Sequence, residues 1–261
     1  PEETNERYKA RLKAGEVLVG GMIVEYARPS IMKLYQQAGF DFVFIDYEHV
    51  FFDPSILADT VLAARDNGLP VISKTPQLER QEVAKLLECG VVGIQLPRTE
   101  SREQLETLRS YIKFPPAGTR ATASGFGNSD YLKPTNKRAW LADQDAETTL
   151  VVHIETRLGY ENVEEIASTP GVDMVYVGPG DFSIEMGHPG AYDHPDVTRP
   201  MEEILEICKR HDVAFGTTPS GADTAAKWVE KGSTFFEAED ERAFILRGAS
   251  ELVREYRRRI G

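Results

Sequence analysis

Short runs of β-branched and aromatic residues alternate along the chain with longer stretches whose apolar positions recur at helical spacing. Eight such runs read as strands: residues 17–25, 42–46, 70–74, 93–97, 149–154, 174–177, 213–217 and 234–237. The helical stretches fall at 29–38, 53–67, 79–89, 101–111, 160–168, 200–211, 221–231 and 243–259. Asp53 followed by Pro54 reads as an N-cap and first helical residue. Gly39, Gly68, Gly90 and Gly232 stand just past helices, where a left-handed backbone is wanted. Runs such as Phe42-Val43-Phe44-Ile45 are apolar on both faces, as expected of parallel strands covered by helices. Eight β/α units predict one α/β domain over residues 1–261, a (β/α)8 TIM barrel. A doubly wound sheet is the other arrangement, but no GxGxxG follows the first strand.

Residues 113–145 break the alternation. This stretch is rich in Gly, Pro, Ser and Asn, and a connection so long in a compact domain is usually functional. An active-site loop is expected there.

Composition narrows the class. Acidic residues outnumber basic ones, 42 against 30, which disfavours nucleic acid as a partner. Hydrophobic residues make up 41% of the chain, enough for a sizeable core. No apolar run approaches the ~18 residues of a membrane helix, so no membrane partner is expected. The polar start PEETNERYKA is unlike a signal peptide. Two cysteines, Cys89 and Cys208, exclude a disulfide framework and a thiolate zinc site. A soluble cytoplasmic protein is the expectation.

Barrels of this kind carry their chemistry at the C-terminal ends of the strands. The predicted ends hold Asp46-Tyr47-Glu48-His49, Lys74, Arg98, His153-Ile154-Glu155 and Gly178-Pro179-Gly180-Asp181. Glu155 and Asp181 follow adjacent strands, and converging carboxylates need a proton or a cation between them. They are candidate ligands for Mg²⁺ or Mn²⁺; a general acid/base pair and two unrelated salt bridges are the alternatives. His49 is a candidate base, because imidazole titrates near neutrality, with Asp46 placed to orient its ring. The turn around Gly180 can bring backbone N–H groups to an anion.

The segments FDFVFIDYEHVFFD (40–53), VVHIETRLGYENVEEI (151–166) and GVDMVYVGPGDFSIEMGHPG (171–190) resemble the HpcH/HpaI aldolases, class II metal-dependent enzymes that use pyruvate. KFPPAGTR (113–120) is similar to the family's PPxGxR segment. The likeness runs from about Gly20 to the C-terminal helices, and the joint presence of D-x-E-H, I-E-T and G-P-x-D-x-S is specific. The resemblance implies a barrel whose C-terminal helix is exchanged between subunits, in a hexamer built as a trimer of dimers. It implies a divalent cofactor (Mg²⁺, Mn²⁺ or Co²⁺) on Glu155 and Asp181, with His49 as base and Asp46 as its partner. The backbone at Gly180 and Asp181 would bind the substrate carboxylate. The implied reaction cleaves a 4-hydroxy-2-oxo acid to pyruvate and an aldehyde through a metal-stabilised enolate, with no lysine Schiff base.

Three positions depart from the family pattern. Lys74 stands where an arginine touches the keto oxygen, and lysine supplies charge without a bidentate fork. Tyr47 replaces a glycine, and His153 replaces a common glutamine. Arg98 and His153 are therefore counted as substrate-binding candidates, and Lys74 as a catalytic one. Related enolate chemistry is the alternative: oxaloacetate decarboxylation, or an acyl-CoA or citrate-type lyase or synthase. A further alternative is a barrel that binds an oxo acid without turning it over.

Overall fold

The computed structural model describes residues 2–261, with side chains from Tyr8 onward. Its elements run α1 (Glu2–Lys13), β1 (Leu18–Ile23), α2 (Pro29–Ala38), β2 (Phe42–Ile45), α3 (Pro54–Asp66), β3 (Val71–Lys74), α4 (Arg80–Cys89), β4 (Gly93–Leu96) and α5 (Arg102–Ile112). After a 3-10 turn at Gly127–Ser129 come α6 (Lys137–Glu147), β5 (Thr149–Ile154), α7 (Arg157–Glu161), α8 (Val163–Ala167), β6 (Met174–Val177), α9 (Pro179–Glu185), α10 (Pro195–Arg210), β7 (Ala214–Thr217), α11 (Ala222–Lys231), β8 (Phe235–Asp240) and α12 (Glu241–Ile260). The strands pair in sequence order and close into a parallel barrel, β8 against β1. The (β/α)8 expectation therefore holds.

Strand residues divide by period two. Val43, Ile45, Val71, Ile94 and Val152 pack outward against the helices, in the larger apolar cluster. Phe42, Phe44, Ile72, Val151, Met174 and Phe235 fill the barrel interior. The Phe42 and Phe235 rings stack there at 4.2 Å. Gly20, paired with Phe42, makes room for this, since a Cβ at Gly20 would lie 2.2 Å from the Phe42 ring. Tyr8 and Leu12 of α1 join the same cluster and plug the N-terminal end of the barrel. Lys9 fixes that plug by donating to Thr148 O at 3.1 Å and Asp173 Oδ2 at 3.0 Å.

Several boundaries differ from the sequence reading. The first helix was not expected, because its polarity hides the two apolar anchors. Residues 160–168 are two short helices broken at Asn162 (φ −97°, ψ 7°) rather than one. The helix expected from Pro200 begins five residues earlier, where the His194 ring accepts the Asp196 N–H and Pro195 takes the first helical position. The Gly178-Pro179-Gly180-Asp181 turn is itself the start of α9, with Asp181 in the first turn.

The expected active-site loop at 113–145 is not wholly irregular, since it contains the 3-10 turn and most of α6. It joins α5 to β5, so it lies at the N-terminal end of the strands, opposite this chain's own barrel mouth. Arg65, near the end of α3, holds it there through Asp130 at 3.1 Å, and none of its residues lines the mouth. The placement follows from chain direction: a connection from a helix back to a strand returns to the base.

Candidate active site

A cleft of about 320 Å³ opens at the C-terminal ends of the strands. Its floor is the topmost inward-facing layer of the barrel, to which Lys74, Gln95, His153, Tyr176 and Glu237 contribute. Glu155 follows β5 and Asp181 lies in α9, and both line the cleft.

Glu155 is only 3% exposed. Its Oε1 accepts the backbone N–H of Arg98 at 2.7 Å. Arg98 achieves this with a left-handed backbone (φ 45°), a strained conformation for a side chain of its size. Burial raises the Glu155 pKa, opposed by Lys74 and the Arg98 N–H and reinforced by Glu48 and Asp181. Its Oε2 lies 3.3 Å from His153 Nε2. That contact is not an ion pair, because burial first, then Lys74 and His49, push the imidazole pKa well below its ordinary value. Neither ring nitrogen of His153 has a hydrogen-bond partner among the described residues. Gly178 creates the space for this ring, since a Cβ there would lie 2.3 Å from His153 Nε2.

Lys74 ends β3 and is buried, with Nζ 3.0 Å from Glu48 Oε2. Burial alone would lower its pKa, but Asp46, Glu155 and Glu48 together outweigh it, and the pKa is raised. Lys74 is therefore a fixed cation on the cleft wall. Glu48 Oε2 also lies 3.2 Å from His49 Nε2, so one carboxylate stands between the lysine and the histidine. The His49 side chain is 58% exposed and sits outside the cleft lining.

Asp46 does not orient the His49 ring as the sequence suggested. Its Oδ1 accepts the backbone N–H groups of Glu48 and His49 at 3.0 and 3.1 Å, shaping the loop instead. Glu48 takes the ring. The Arg98 guanidinium is also turned away from the cleft, with Nη2 3.9 Å from Glu185 Oε1. Arg98 contributes its backbone where a side-chain role was expected.

Sequence reasoning missed three further groups. Glu48 was visible in the DYEH string but was passed over for its neighbours. Gln95 and Glu237 are buried, with both Gln95 amide atoms and Glu237 Oε1 lacking hydrogen-bond partners among the described residues. Burial pushes the Glu237 pKa up to about 8, while Tyr176, Lys74 and Gln95 pull against it. The available signal was period two: in Phe235-Phe236-Glu237 the acid falls on the inward face.

The donor set suits a divalent cation. Two carboxylates share one cleft, Glu155 keeps an oxygen clear of the Arg98 bond, and the adjoining His153 is neutral and lacks a partner. Oxygen ligands with open positions for water and substrate match the preference of Mg²⁺ and Mn²⁺.

A closed (β/α)8 barrel with an acid-lined mouth defines a class of enzymes whose chemistry is set by the strand ends. Residues 20–239 match the HpcH/HpaI aldolase/citrate lyase family, and the chain belongs to it. It is an enzyme of the carbon–carbon lyase kind. A 5-keto-4-deoxy-D-glucarate aldolase from Salmonella arizonae is 28% identical over 258 residues, 97% of each chain. A hydroxypyruvate/pyruvate aldolase from Pseudomonas aeruginosa is 29% identical over 252 residues, 96% of this chain and 92% of the other. The crystal structure of an HpcH/HpaI aldolase from Desulfitobacterium hafniense superposes with a TM-score of 0.90 at 28% identity, covering 95% of both chains. Among the described residues no helix is long and apolar enough to cross a membrane.

Proposed function

We propose that the chain cleaves a 4-hydroxy-2-oxo acid to pyruvate and an aldehyde, with a divalent metal held by Glu155 and Asp181. The observation that carries this is the pairing of those two carboxylates in one cleft with the proton-bearing Lys74. A bound divalent ion supplies Lewis acidity toward the 2-oxo acid.

The remaining work falls to the chain itself. Gly180 has open space where a Cβ would stand, so the backbone of Gly180 and Asp181 is accessible to the substrate carboxylate. Lys74 faces the keto oxygen and stabilises the negative charge that develops there. His49 takes a proton from the methyl carbon through a water when carbon–carbon bond formation is viewed from pyruvate. Glu48 couples the base to Lys74, so the two groups keep a fixed relation. His153, held neutral, offers a hydrogen bond without adding charge. Lys74 is the one cation among the described cleft-lining residues, which favours a small 2-oxo acid over a CoA thioester with its several phosphates.

Two further points go with this reading. Leu246, Leu252 and Ile260 on α12 are strongly exposed, which suits a helix covered by a second copy in a homo-oligomer such as a hexamer. The free thiols Cys89 and Cys208 suit a reducing compartment such as the cytoplasm.

The test is exchange of pyruvate methyl protons with deuterated solvent, followed by NMR with Mg²⁺, Mn²⁺ or Co²⁺. Exchange is expected with at least one ion and is expected to fall sharply in His49→Ala. A protein inert with all three ions would overturn the proposal.

A further inference from the structure

The connection from α9 to α10 is short and tightly bonded. Gly187 and Gly190 take left-handed backbones (φ 84° and 75°), which other residues rarely adopt. Ser183 holds the turn: its carbonyl oxygen accepts the His188 N–H at 2.8 Å and its Oγ accepts the Gly190 N–H at 3.1 Å. Two more backbone bonds, from Ala191 N–H to His188 O and from His194 N–H to Ala191 O, each 3.0 Å, fold the chain back on itself. The His188 and His194 rings are thereby placed face to face, with centroids 3.6 Å apart and planes 17° from parallel.

Both rings turn a nitrogen toward the same carboxylate oxygen. Asp196 Oδ2 lies 3.1 Å from His188 Nε2 and 3.8 Å from His194 Nδ1. One histidine is enough to cap α10, since His194 Nδ1 accepts the Asp196 N–H at 3.1 Å. Capping leaves the stacked His188 unexplained. One ligand atom from each of the three residues falls within 4.8 Å of the others, the one such trio of His, Cys, Asp and Glu side chains among the described residues. Neighbouring ligand atoms around a tetrahedral Zn²⁺ stand about 3.3 Å apart, for bonds of about 2.0–2.1 Å. The two separations from Asp196 fall on either side of that value.

The protonation states also suit an ion. His194 Nδ1 carries a lone pair, because it accepts a hydrogen bond. His188 Nε2 donates to the carboxylate, which only accepts. An arriving ion takes that position, and the ring keeps its proton on Nδ1. The Asp196 N–H, released from His194, turns to solvent at the exposed start of the helix. The positive end of α10 disfavours a cation, and the Asp196 carboxylate in its first turn offsets this. The three side chains are 29%, 38% and 64% exposed, so water reaches the trio and can complete the coordination. Imidazole ligands suit Zn²⁺ and its neighbours in the transition series, whereas the oxygen-only pair of Glu155 and Asp181 suits Mg²⁺ or Mn²⁺.

We infer that His188, His194 and Asp196 form a second cation site, selective for Zn²⁺ or an ion of similar preference for imidazole. Tyr192 and Asp193 lie between the two histidines in the chain and line the cleft. An ion held at 188, 194 and 196 therefore cross-links the loop that carries them and fixes this part of the cleft wall.

The experiment counts Zn²⁺ bound after equilibrium dialysis in two proteins. The first is Glu155→Gln, in which the Glu155 and Asp181 pair has lost a charge. The second combines Glu155→Gln with His188→Gln, where the glutamine amide still donates to Asp196 and keeps the turn folded. One Zn²⁺ per chain, bound in the micromolar range, is expected in the first and none in the second. Hydrogen exchange is expected to slow over residues 188–196 on addition of Zn²⁺, in the first protein only. His211→Gln in place of His188→Gln is the control. His211 Nε2 lies 2.7 Å from Glu164 Oε1 at the other end of α10, and loss of this second imidazole–carboxylate pair should change neither reading. An equal Zn²⁺ count with and without His188, or protection that appears elsewhere in the chain, overturns the inference. So does a Glu155→Gln protein that takes up no Zn²⁺. Failure of Glu155 and Asp181 to bind any ion would overturn the aldolase reading and leave these readings untouched.

Discussion

The backbone N–H of Arg98 donates to Glu155 Oε1 at 2.7 Å, so a residue at the end of β4 sets the carboxylate that follows β5. This bond occupies one oxygen and leaves the other facing His153 and the cleft. It also explains why Arg98 adopts a left-handed backbone, since the strained turn aims its amide at a neighbouring strand end. Such strain is tolerated where surrounding structure enforces it.

Glu155→Gln is expected to separate folding from metal binding. The amide oxygen still accepts the Arg98 N–H, so the variant folds. Its loss of charge removes one of two anionic ligands. For the parent, Mn²⁺ at a hundred times its Kd should add about 2.7 kcal/mol of stability. Thermal melts with and without Mn²⁺ should show that gain nearly abolished in the variant. An equal gain in both proteins would remove Glu155 from the ligand set.

Gly178→Ala pushes a methyl group against the His153 ring, at a separation of 2.3 Å before relaxation. Overpacking of this kind costs about 1–3 kcal/mol. The displaced ring also lies against Glu155, so activity should fall by about tenfold or more in the same variant. Denaturant melts and methyl exchange measured together check this. A variant with parental stability and rate would show that the ring moves freely.

Lys74→Ala removes the one cation among the described cleft-lining residues and leaves Glu48 without its lysine partner. kcat is expected to fall about 10²-fold, the scale of a lost oxyanion donor. Lys74→Arg keeps the charge and should retain much of the rate. Steady-state kinetics on both variants decide the matter, and two variants of unchanged kcat would pass the role to another group.

Glu237 makes stability depend on pH in the direction opposite to a salt-bridged acid. An ordinary glutamate loses its proton near 4.5, whereas Glu237 keeps it to about 8. Between those values the folded state binds more protons than the unfolded one, so stability falls as pH rises through the window. The loss is complete above about 8, where both states are ionised. Glu237→Gln cannot ionise and escapes the loss. Its advantage over the parent should grow by more than about 1 kcal/mol from pH 5 to pH 8, by urea denaturation. An advantage that stays constant would contradict the burial argument.

The sequence by itself determined the architecture and put Glu155 and Asp181 at the ends of adjacent strands. Apolar runs such as Phe42-Val43-Phe44-Ile45 can be stable only between a barrel interior and a layer of helices, and strand-end positions are legible once the strands are placed. Glu155 and Asp181 stood out among the strand-end acids because their strands are adjacent. The tertiary structure decided which atom of each residue is used. Arg98 contributes its amide because its backbone conformation and its pairing with Glu185 depend on neighbours distant in sequence. Glu48 displaces Asp46 at the His49 ring because the loop folds around the Asp46 carboxylate. The base-side position of 113–145 likewise arises from closure of the barrel. Local propensity acts over a few residues, whereas the direction of a side chain at a strand end is set by contacts that exist only after β8 has met β1.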